Sequence, residues 1–311
     1  MPPSRTLRKN ARVLVICHKQ LGDVALLEPA LARIRAASGG PIDLLTRSGH
    51  APLIELMEGV RMIHRAWFRR YDAIFCYDGL DKSSIHALLA FAPRKDLILR
   101  TPEDLRPLAA RAFKVILAPG LGDRYVAEYN WDTTDVGVST DFRPPKLNRP
   151  PESWRPAGFD TRDYLLLNPT AGWKSKRWKT KAWQALLDRF DGPEKILITS
   201  GAQHWQLEHS RAIADHLGDR AIFLGGATRL EEFLWLVANA RMVLGVDGAA
   251  AHLAAAFGGK SLTVFVRTSN ANWHFPTERS LAIAVDPDAS GDARQRDIDE
   301  ALANADALWR L

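Results

Sequence analysis

The chain has 311 residues, enough for two domains of ordinary size, and its 46% hydrophobic and 25% charged residues are typical of a soluble globular protein. Its net charge of +6 favours anionic partners, namely nucleic acid, phosphorylated small molecules or an anionic membrane face, without choosing among them. Cys17 and Cys76 both lie in apolar runs, which argues against a disulfide framework and against a cysteine metal site. No apolar stretch is long enough to span a bilayer or to form the core of a signal peptide, so we expect a cytoplasmic protein.

The N-terminal half alternates between strand and helix patterns. Short apolar runs predict strands at residues 12–17, 39–46 and 71–78. Helices are predicted between and after them, at residues 24–38, 51–59 and 82–91. This alternation is typical of a parallel sheet with helices on both faces.

The sequence pattern changes between residues 141 and 160, a stretch that contains five prolines and shows no hydrophobic periodicity. We interpret this stretch as an interdomain linker. The alternation then resumes, with strands predicted at residues 163–169, 195–201, 221–226, 242–247 and 261–266. The intervening helices are predicted at residues 179–190, 206–217, 230–240 and 249–258.

The sequence therefore predicts an α/β protein of two Rossmann-like domains, residues 1–150 and residues 151–311, whose parallel sheets face a central cleft. In open α/β sheets, ligands bind beyond the carboxyl ends of the strands. The loops of most interest are therefore residues 18–23, 168–178, 200–206 and 245–249.

The stretch "GVDGAAAHLAAAFGG", from Gly245 to Gly259, places Asp247 and His252 among small and apolar residues. It joins a predicted strand to a predicted helix, whose first amides are unsatisfied and point along the positive end of the dipole. The small residues would let an anion approach that backbone. Two interpretations stay open: an anion site that includes both side chains, or an N-cap at Asp247 with a buried structural histidine.

A basic loop follows the first strand of the C-terminal half. In "NPTAGWKSKRWKTKAW", Asn168 to Trp183, five cations are interleaved with Trp173, Trp178 and Trp183. Cations disfavour the start of a helix, so their concentration there favours a bound phosphate over a solvated surface. The same composition is also compatible with nucleic-acid binding, although no nucleic-acid motif is present.

Two further carboxylate features each admit more than one interpretation. Asp23 follows Gly22 at the start of the first predicted helix, where a helix cap and a general base are both possible; no G-x-G-x-x-G fingerprint is present. Asp286 and Asp288 form a D-x-D pattern, but the proline between them and the small residues that follow favour a surface turn over a metal site.

Taken in order, these loops resemble glycosyltransferase family 9, the ADP-heptose:lipopolysaccharide heptosyltransferases. The resemblance is carried by "VLVICHKQLGDVALLEPAL", by "YDAIFCYDGLDKSS", by "KRWK" and above all by "VDGAAAHLAAAFG". It implies a GT-B fold and inverting transfer of a sugar from a nucleotide diphosphate, without a metal or other cofactor. The N-terminal domain would then be the acceptor side and the C-terminal domain the nucleotide-sugar side.

The resemblance also implies roles for individual residues. Asp23 would be the general base on the acceptor hydroxyl, and Lys176 a catalytic cation on the donor diphosphate. The expected donor-binding residues are Thr170, Lys176, Arg177, Asp247, Gly248, Ala249 and His252. The expected acceptor-binding residues are Arg61, Arg65 and Lys82.

The implied partners are a nucleotide-diphosphate sugar, ADP-linked, and an anionic glycolipid or glycan acceptor. The stretch from Arg61 to Arg70, "RMIHRAWFRR", mixes arginines with aromatic residues, which is compatible with peripheral contact at the inner face of the membrane or with a solvated surface. No nucleic-acid partner is expected.

The chain departs from the family pattern at three places. Gly248 and Ala249 stand where the family has Thr or Ser followed by Gly, and Arg267 replaces a proline after the last matched strand. In place of the family's ribose-contacting Glu, the loop after the second C-terminal strand offers His204 and Trp205. A non-catalytic sugar-nucleotide-binding protein of the same fold is therefore the alternative function.

Overall fold

The computed structural model describes residues 6–160, 163–286 and 293–311. The chain divides into two compact units, Met1–Asn148 and Arg149–Leu311. Each unit contains a six-stranded sheet. Every pair of neighbouring strands in both sheets is parallel.

The first unit is built around a sheet with the strand order β3-β2-β1-β4-β5-β6. Its strands are β1 (Val13–Ile16), β2 (Ile42–Leu45), β3 (Val60–Ile63), β4 (Ala73–Cys76), β5 (Arg94–Ile98) and β6 (Val115–Leu117). Its helices are α1 (Leu21–Ala25), α2 (Glu28–Ser38), α3 (Ala51–Glu55), α4 (Asp81–Leu89), α5 (Pro107–Ala112) and α6 (Val126–Thr133).

The second unit repeats this plan with the order β12-β11-β10-β7-β8-β9. Its strands are β7 (Leu165–Asn168), β8 (Ile196–Thr199), β9 (Ala221–Gly225), β10 (Met242–Val246), β11 (Ser261–Val266) and β12 (Ser280–Val285). Its helices are α7 (Thr180–Arg189), α8 (His204–Leu217), α9 (Leu230–Asn239), α10 (Ala249–Ala256), α11 (Asn270–Trp273) and α12 (Gln295–Arg310).

Both strand orders are those of a doubly wound Rossmann sheet, in which the order reverses beside the first strand. The central strands β1, β4, β7 and β10 are buried along their whole length, which explains why they are nearly continuous apolar runs. The predicted pair of Rossmann-like parallel sheets is confirmed. The reversal points, between β1 and β4 and between β10 and β7, are where such folds bind ligands.

The helix predicted over residues 24–38 is in fact two helices, α1 and α2, separated by Leu26 and Leu27. Pro29 occupies the first turn of α2, where its missing N–H costs nothing. Asp23 therefore belongs to a short helix of its own, directly beyond the carboxyl end of β1.

The proline-rich stretch of residues 141–160 has little regular structure, but its side chains hold it to each unit. Arg143 forms two 2.7 Å hydrogen bonds with the carboxylate of Glu28 on α2. Arg149, in the second unit, donates to the backbone carbonyl of Ala238 at 2.7 Å. Pairing with Glu28 raises the pKa of Arg143.

Cys17 and Cys76 are buried free thiols. Burial raises the pKa of Cys17 to about 12, so its reactive thiolate is scarcely populated near neutral pH. In the described part of the chain, no helix combines the length and the apolar character that crossing a bilayer requires.

Candidate functional site

A buried ion pair lies at the reversal point of the second sheet. Asp247 directly follows β10, and Lys176 lies in the loop after the neighbouring strand β7. The Nζ atom of Lys176 lies 2.5 Å from Oδ2 of Asp247, and the Asp247 side chain is only 1% exposed. The two candidate residues from separate loops are therefore brought together at the edge where ligands bind in this fold.

Asp247 does not cap α10. The N-cap residue is Gly248, and no side chain makes a capping hydrogen bond there. The Asp247 carboxylate instead faces Lys176, and its Oδ1 lies 3.6 Å from Nε2 of the buried His252. The N-cap interpretation of Asp247 is thus wrong, because both of its oxygens face cationic or titratable groups rather than the helix amides.

Gly245 and Gly248 differ in whether the fold requires a glycine at their positions. A Cβ on Gly245 would lie 2.5 Å from the backbone oxygen of Asn168, so this glycine is required for close packing of β10 on β7. A Cβ on Gly248 would lie 3.5 Å from Ala171 Cβ, an ordinary contact, and the backbone there is extended. Gly248 is therefore not demanded by the fold, and it leaves space in front of the α10 amides.

Thr170 provides a further polar group at this edge. It is buried, and its Oγ1 finds no hydrogen-bond partner among the described residues. An unsatisfied buried hydroxyl is costly, so it marks a position where a ligand oxygen would be stabilising. Arg177 follows Lys176 directly, and its charge adds to the larger effect of burial in lowering the pKa of His209 on α8.

Trp273 on α11 lies close to Lys176 and His252, and the sequence analysis did not identify it. The Nζ atom of Lys176 lies 5.5 Å from the centroid of its ring, and the His252 ring lies 6.0 Å away. Its position in the segment after β11 could have indicated a role in the site, because the carboxyl end of β11 lies at the same edge of the sheet as those of β7 and β10.

The three tryptophans of the basic loop have different environments. Trp178 and Trp183 are fully buried and pack edge to face, with ring centroids 4.9 Å apart. Trp173 is 70% exposed. Two of the three rings are therefore core residues, which removes most of the aromatic support for a nucleic-acid interface.

The first unit carries a separate cluster at its own reversal point. Asp23 lies in the first turn of α1, and its Oδ1 lies 2.5 Å from Nη2 of Arg100, just beyond the carboxyl end of β5. Both side chains are less than one fifth exposed. The N-cap position of α1 is Gln20, so the cap interpretation of Asp23 is wrong and the carboxylate has an ionic environment instead.

Further polar residues, which the sequence analysis did not name individually, lie just beyond the carboxyl ends of β1 and β4. Burial, and then the charge of Arg100, lower the pKa of Lys19. The backbone N–H of His18 donates to Asp78 at 2.6 Å, and its Nδ1 pairs with Ser83 Oγ at 2.8 Å. Burial lowers the pKa of His18 to about 4, so its ring is neutral near neutral pH. Its Nε2 is buried and has no hydrogen-bond partner among the described side chains and backbone groups.

The expected acceptor-binding residues do not all lie at the same edge of the sheet. Lys82 is exposed in the first turn of α4, near the carboxyl end of β4, and Arg65 is exposed with its guanidinium 5.9 Å from the ring of Trp67. Arg61 lies near the start of β3 and pairs with Asp43 at 2.6 Å. Since Asp23 lies beyond the carboxyl ends of the strands, Arg61 lies toward the opposite edge of the sheet.

The residues at the other departures from the family pattern are exposed or have an unusual backbone conformation. His204 is 95% exposed and lies 4.0 Å from Glu208, while Trp205 donates to Gln203. Arg267 has a φ of 58°, which a proline, with its φ fixed near −65°, cannot adopt.

Asp286 lies 3.2 Å from Arg294, and its partner in the D-x-D pattern, Asp288, lies outside the described residues. Across residues 6–160, 163–286 and 293–311, no group of three or more His, Cys, Asp or Glu side chains is arranged to hold a metal ion.

Comparison with known families finds a match over residues 126–301, more than half of the chain, to the family described as "Glycosyltransferase family 9 (heptosyltransferase)". The lipopolysaccharide heptosyltransferase 3 of Escherichia coli is 27% identical over 149 residues. That alignment covers 45% of this chain and 44% of the relative, so it spans a little under half the length of either protein.

Solved structures match nearly the whole chain. A family 9 glycosyl transferase from Veillonella parvula has a TM-score of 0.78 at 14% identity, covering 97% of this chain and 98% of that one. The E. coli heptosyltransferase WaaC with ADP has a TM-score of 0.71 at 20% identity, covering 88% of this chain and 93% of that one. These likenesses concern the fold, and they confirm the GT-B-like class predicted from the sequence.

Proposed function

The chain belongs to glycosyltransferase family 9, and on that premise we propose that it transfers a heptose from an ADP-linked donor to a lipopolysaccharide core or related glycan. The proposed transfer inverts the anomeric centre and uses no metal ion. The observation that carries the proposal is the pairing of Lys176 with Asp247 beside the N-terminus of α10, at the sheet's reversal point.

The donor end is assigned to the second unit. The unsatisfied amides at the start of α10, the hydroxyl of Thr170 and the ammonium group of Lys176 are suited to a diphosphate. Asp247 and His252 would then face the sugar hydroxyls. Support for an ADP-linked donor comes from WaaC, whose solved structure contains ADP.

Without donor, Lys176 and Asp247 neutralise each other in a site where an isolated charge would be costly. We propose that donor binding replaces this pair by two new ones, with the ammonium group on the diphosphate and the carboxylate on sugar hydroxyls. The diphosphate gains negative charge as it leaves. A preorganised cation and helix N-terminus stabilise that charge by roughly 3–4 kcal/mol per hydrogen-bond donor.

The acceptor end is assigned to the first unit. Asp23 removes the proton of the attacking hydroxyl, a role worth about 10²–10⁴-fold in rate. Arg100 fixes the orientation of the Asp23 carboxylate through its 2.5 Å contact. Lys82 and Arg65 are exposed cations in the same unit that can meet an anionic acceptor, whereas Arg61 is engaged by Asp43.

The acceptor class also suggests where the protein works. A lipopolysaccharide core is carried on a lipid, so we propose peripheral contact with the inner face of the membrane. The net charge of +6 is compatible with an anionic glycolipid and an anionic bilayer.

A thermal-shift and calorimetric panel of ADP-, GDP- and UDP-heptose tests the donor assignment. We expect ADP-heptose to bind most tightly and to be consumed only when acceptor is present. Chelation with EDTA should leave the rate unchanged, since Lys176 and the α10 amides act in place of a metal. Loss of activity that Mg²⁺ or Mn²⁺ restores would refute metal independence, and tight binding without turnover would favour the non-catalytic alternative.

A further inference from the structure

Trp273 presents the face of its ring to the candidate donor site of the second unit. The Nζ atom of Lys176 lies over this ring, 5.5 Å from the ring centroid, which is within the range of a cation–π contact. The ring of His252 is 6.0 Å away and tilted by 39°. Lys176 and His252 both also contact the buried carboxylate of Asp247. These three side chains therefore line one small site around that carboxylate.

Trp273 lies on a segment that hydrogen bonds hold in place. It is the last residue of α11, whose N-cap, Ser269, accepts a hydrogen bond from the backbone N–H of Asn272. The next residue, His274, has its Nε2 atom 3.1 Å from Ser280 Oγ at the start of β12. The Trp273 side chain itself is half-buried. An anchored, half-buried ring leaves part of its surface to a ligand and needs little reorganisation when one binds.

The distance from Lys176 indicates which part of the donor the ring would meet. If the ammonium group hydrogen-bonds an oxygen of the β-phosphate at about 2.8 Å, the anomeric carbon lies close by, two bonds beyond the β-phosphorus. The nucleobase is separated from that phosphorus by the α-phosphate and the ribose. A ring 5.5 Å from the ammonium nitrogen is therefore beside the transferred sugar rather than beside the base.

The electronic character of the ring suits the charge that sugar transfer creates. In the proposed reaction, the bond from the anomeric carbon to the β-phosphate oxygen breaks, and its electron pair leaves with the nucleoside diphosphate. The acceptor oxygen forms the new bond to that carbon, and its proton passes to Asp23. Positive charge develops on the anomeric carbon and the ring oxygen of the sugar in such transition states. The face of an indole ring carries partial negative charge and attracts cations more strongly than the face of tyrosine or phenylalanine.

We propose that Trp273 is a catalytic residue of the sugar transfer, whose ring face stabilises the oxocarbenium-like sugar in the transition state. The structure already places one cation, the ammonium group of Lys176, over this face. When that group pairs with the diphosphate, the face is left to the sugar, which becomes cationic only as its bond to the diphosphate breaks. Trp273 therefore stabilises the transition state more than the bound donor. The inference rests on the proposed function, because it requires that a sugar is transferred.

Site-specific replacement of Trp273 by fluorinated tryptophans tests the proposal, because fluorine withdraws electrons from the ring and hardly changes its shape. Along a series of mono-, di- and trifluorinated rings, the single-turnover rate at saturating ADP-heptose should fall stepwise, reaching about tenfold below wild type. The Kd values for ADP-heptose and for ADP, and the melting temperature, should stay close to those of wild type. Trp273→Leu should lose about 10–30-fold in the same rate, and Trp273→Phe should lose less.

The matched control is the same fluorinated series at Trp131 in the first unit. Trp131 is also half-buried, and the guanidinium of Arg33 lies over its ring, 4.6 Å from the centroid. Fluorination there weakens a cation–π contact in the same way, but it should leave the single-turnover rate at the wild-type value.

A single-turnover rate that stays constant along the fluorinated series at position 273, in a protein that transfers sugar, would overturn the proposal and leave the ring a structural or steric role. A loss of affinity for ADP that parallels the loss of rate would also overturn it, because the ring would then contact the nucleotide. Failure of the wild-type protein to transfer sugar from any of the ADP-, GDP- and UDP-linked donors would instead refute the proposed function, and this inference with it.

Discussion

The ammonium nitrogen of Lys176 lies 2.5 Å from a carboxylate oxygen of Asp247, although 71 residues separate the two in the sequence. The pair forms because β7 and β10 are neighbours at the point where the strand order reverses, so the loops after them share one edge. A buried pair of opposite charges adds little net stability, because desolvation offsets the attraction. We therefore attribute its presence to the site rather than to the fold.

Lys176→Met should weaken binding of ADP-heptose and reduce transfer by at least about 10²-fold. It should also lower the free energy of unfolding by about 2 kcal/mol, because Asp247 is left buried without its cation. Calorimetry, initial rates and urea unfolding measure the three effects.

The double variant Lys176→Met with Asp247→Asn separates the site from the fold. Removing both charges should restore much of the lost stability but none of the transfer. Recovery of transfer in the double variant would contradict the assignment of Lys176 to the donor diphosphate.

Asp23→Asn should reduce transfer by about 10²–10⁴-fold and leave the affinity for donor nearly unchanged. Asparagine keeps an oxygen for Arg100, so the fold should be preserved, whereas Asp23→Ala should lose both transfer and stability. Asp72→Asn is a control, because Asp72 also pairs with an arginine but lies at the amino end of its strand. Collapse of donor affinity with surviving turnover would show that Asp23 is not the base.

Much of the site could be predicted because it follows from sheet topology. The apolar runs of β7 and β10 predict that their loops lie at the ligand-binding edge, and the family resemblance implies donor-binding roles for Lys176 and Asp247. The direct contact between these two side chains was not predicted. Arg100 was missed because β5 begins with Arg94, Lys95 and Asp96 and does not resemble an apolar strand. The structure shows why such a strand is possible: Arg94 pairs with Asp96 at 2.6 Å, and Lys95 donates to the carbonyl of Ala90 at the end of α4. Pairing of this kind depends on tertiary structure, so periodicity alone does not reveal it.

The glycines of the α10 loop should respond differently to substitution. Gly245→Ala should destabilise the protein by about 2 kcal/mol or more, because its Cβ would overlap the Asn168 oxygen. Gly248→Ser should be neutral or stabilising by up to about 1 kcal/mol, since there is space for the side chain and serine can cap α10. Melting temperatures compare the two variants. An equal fall in melting temperature for both would show that the fold requires glycine at position 248 as well.

Buried histidines should make stability depend on pH. Burial, and then the charge of Arg177, lower the pKa of His209 from 6.5 to about 4. Between these values the unfolded chain binds a proton that the folded chain does not. The contribution of His209 is therefore full above pH 6.5 and is lost as the pH falls towards 4.

His209→Gln should flatten the decline in urea midpoint across this range relative to wild type. His204→Gln is the control on the same helix, because His204 is 95% exposed and should leave the profile unchanged. Parallel profiles for wild type and His209→Gln would show that His209 is not the titrating group.

Acceptor-dependent release of ADP from ADP-heptose, counted against heptose added to a lipopolysaccharide core acceptor, tests the central claim most directly. We predict one ADP per heptose transferred, a product of inverted anomeric configuration, and loss of both signals in Asp23→Asn. Release of ADP at the same rate without acceptor, retention of the anomeric configuration, or no release from an ADP-linked donor that binds would contradict it.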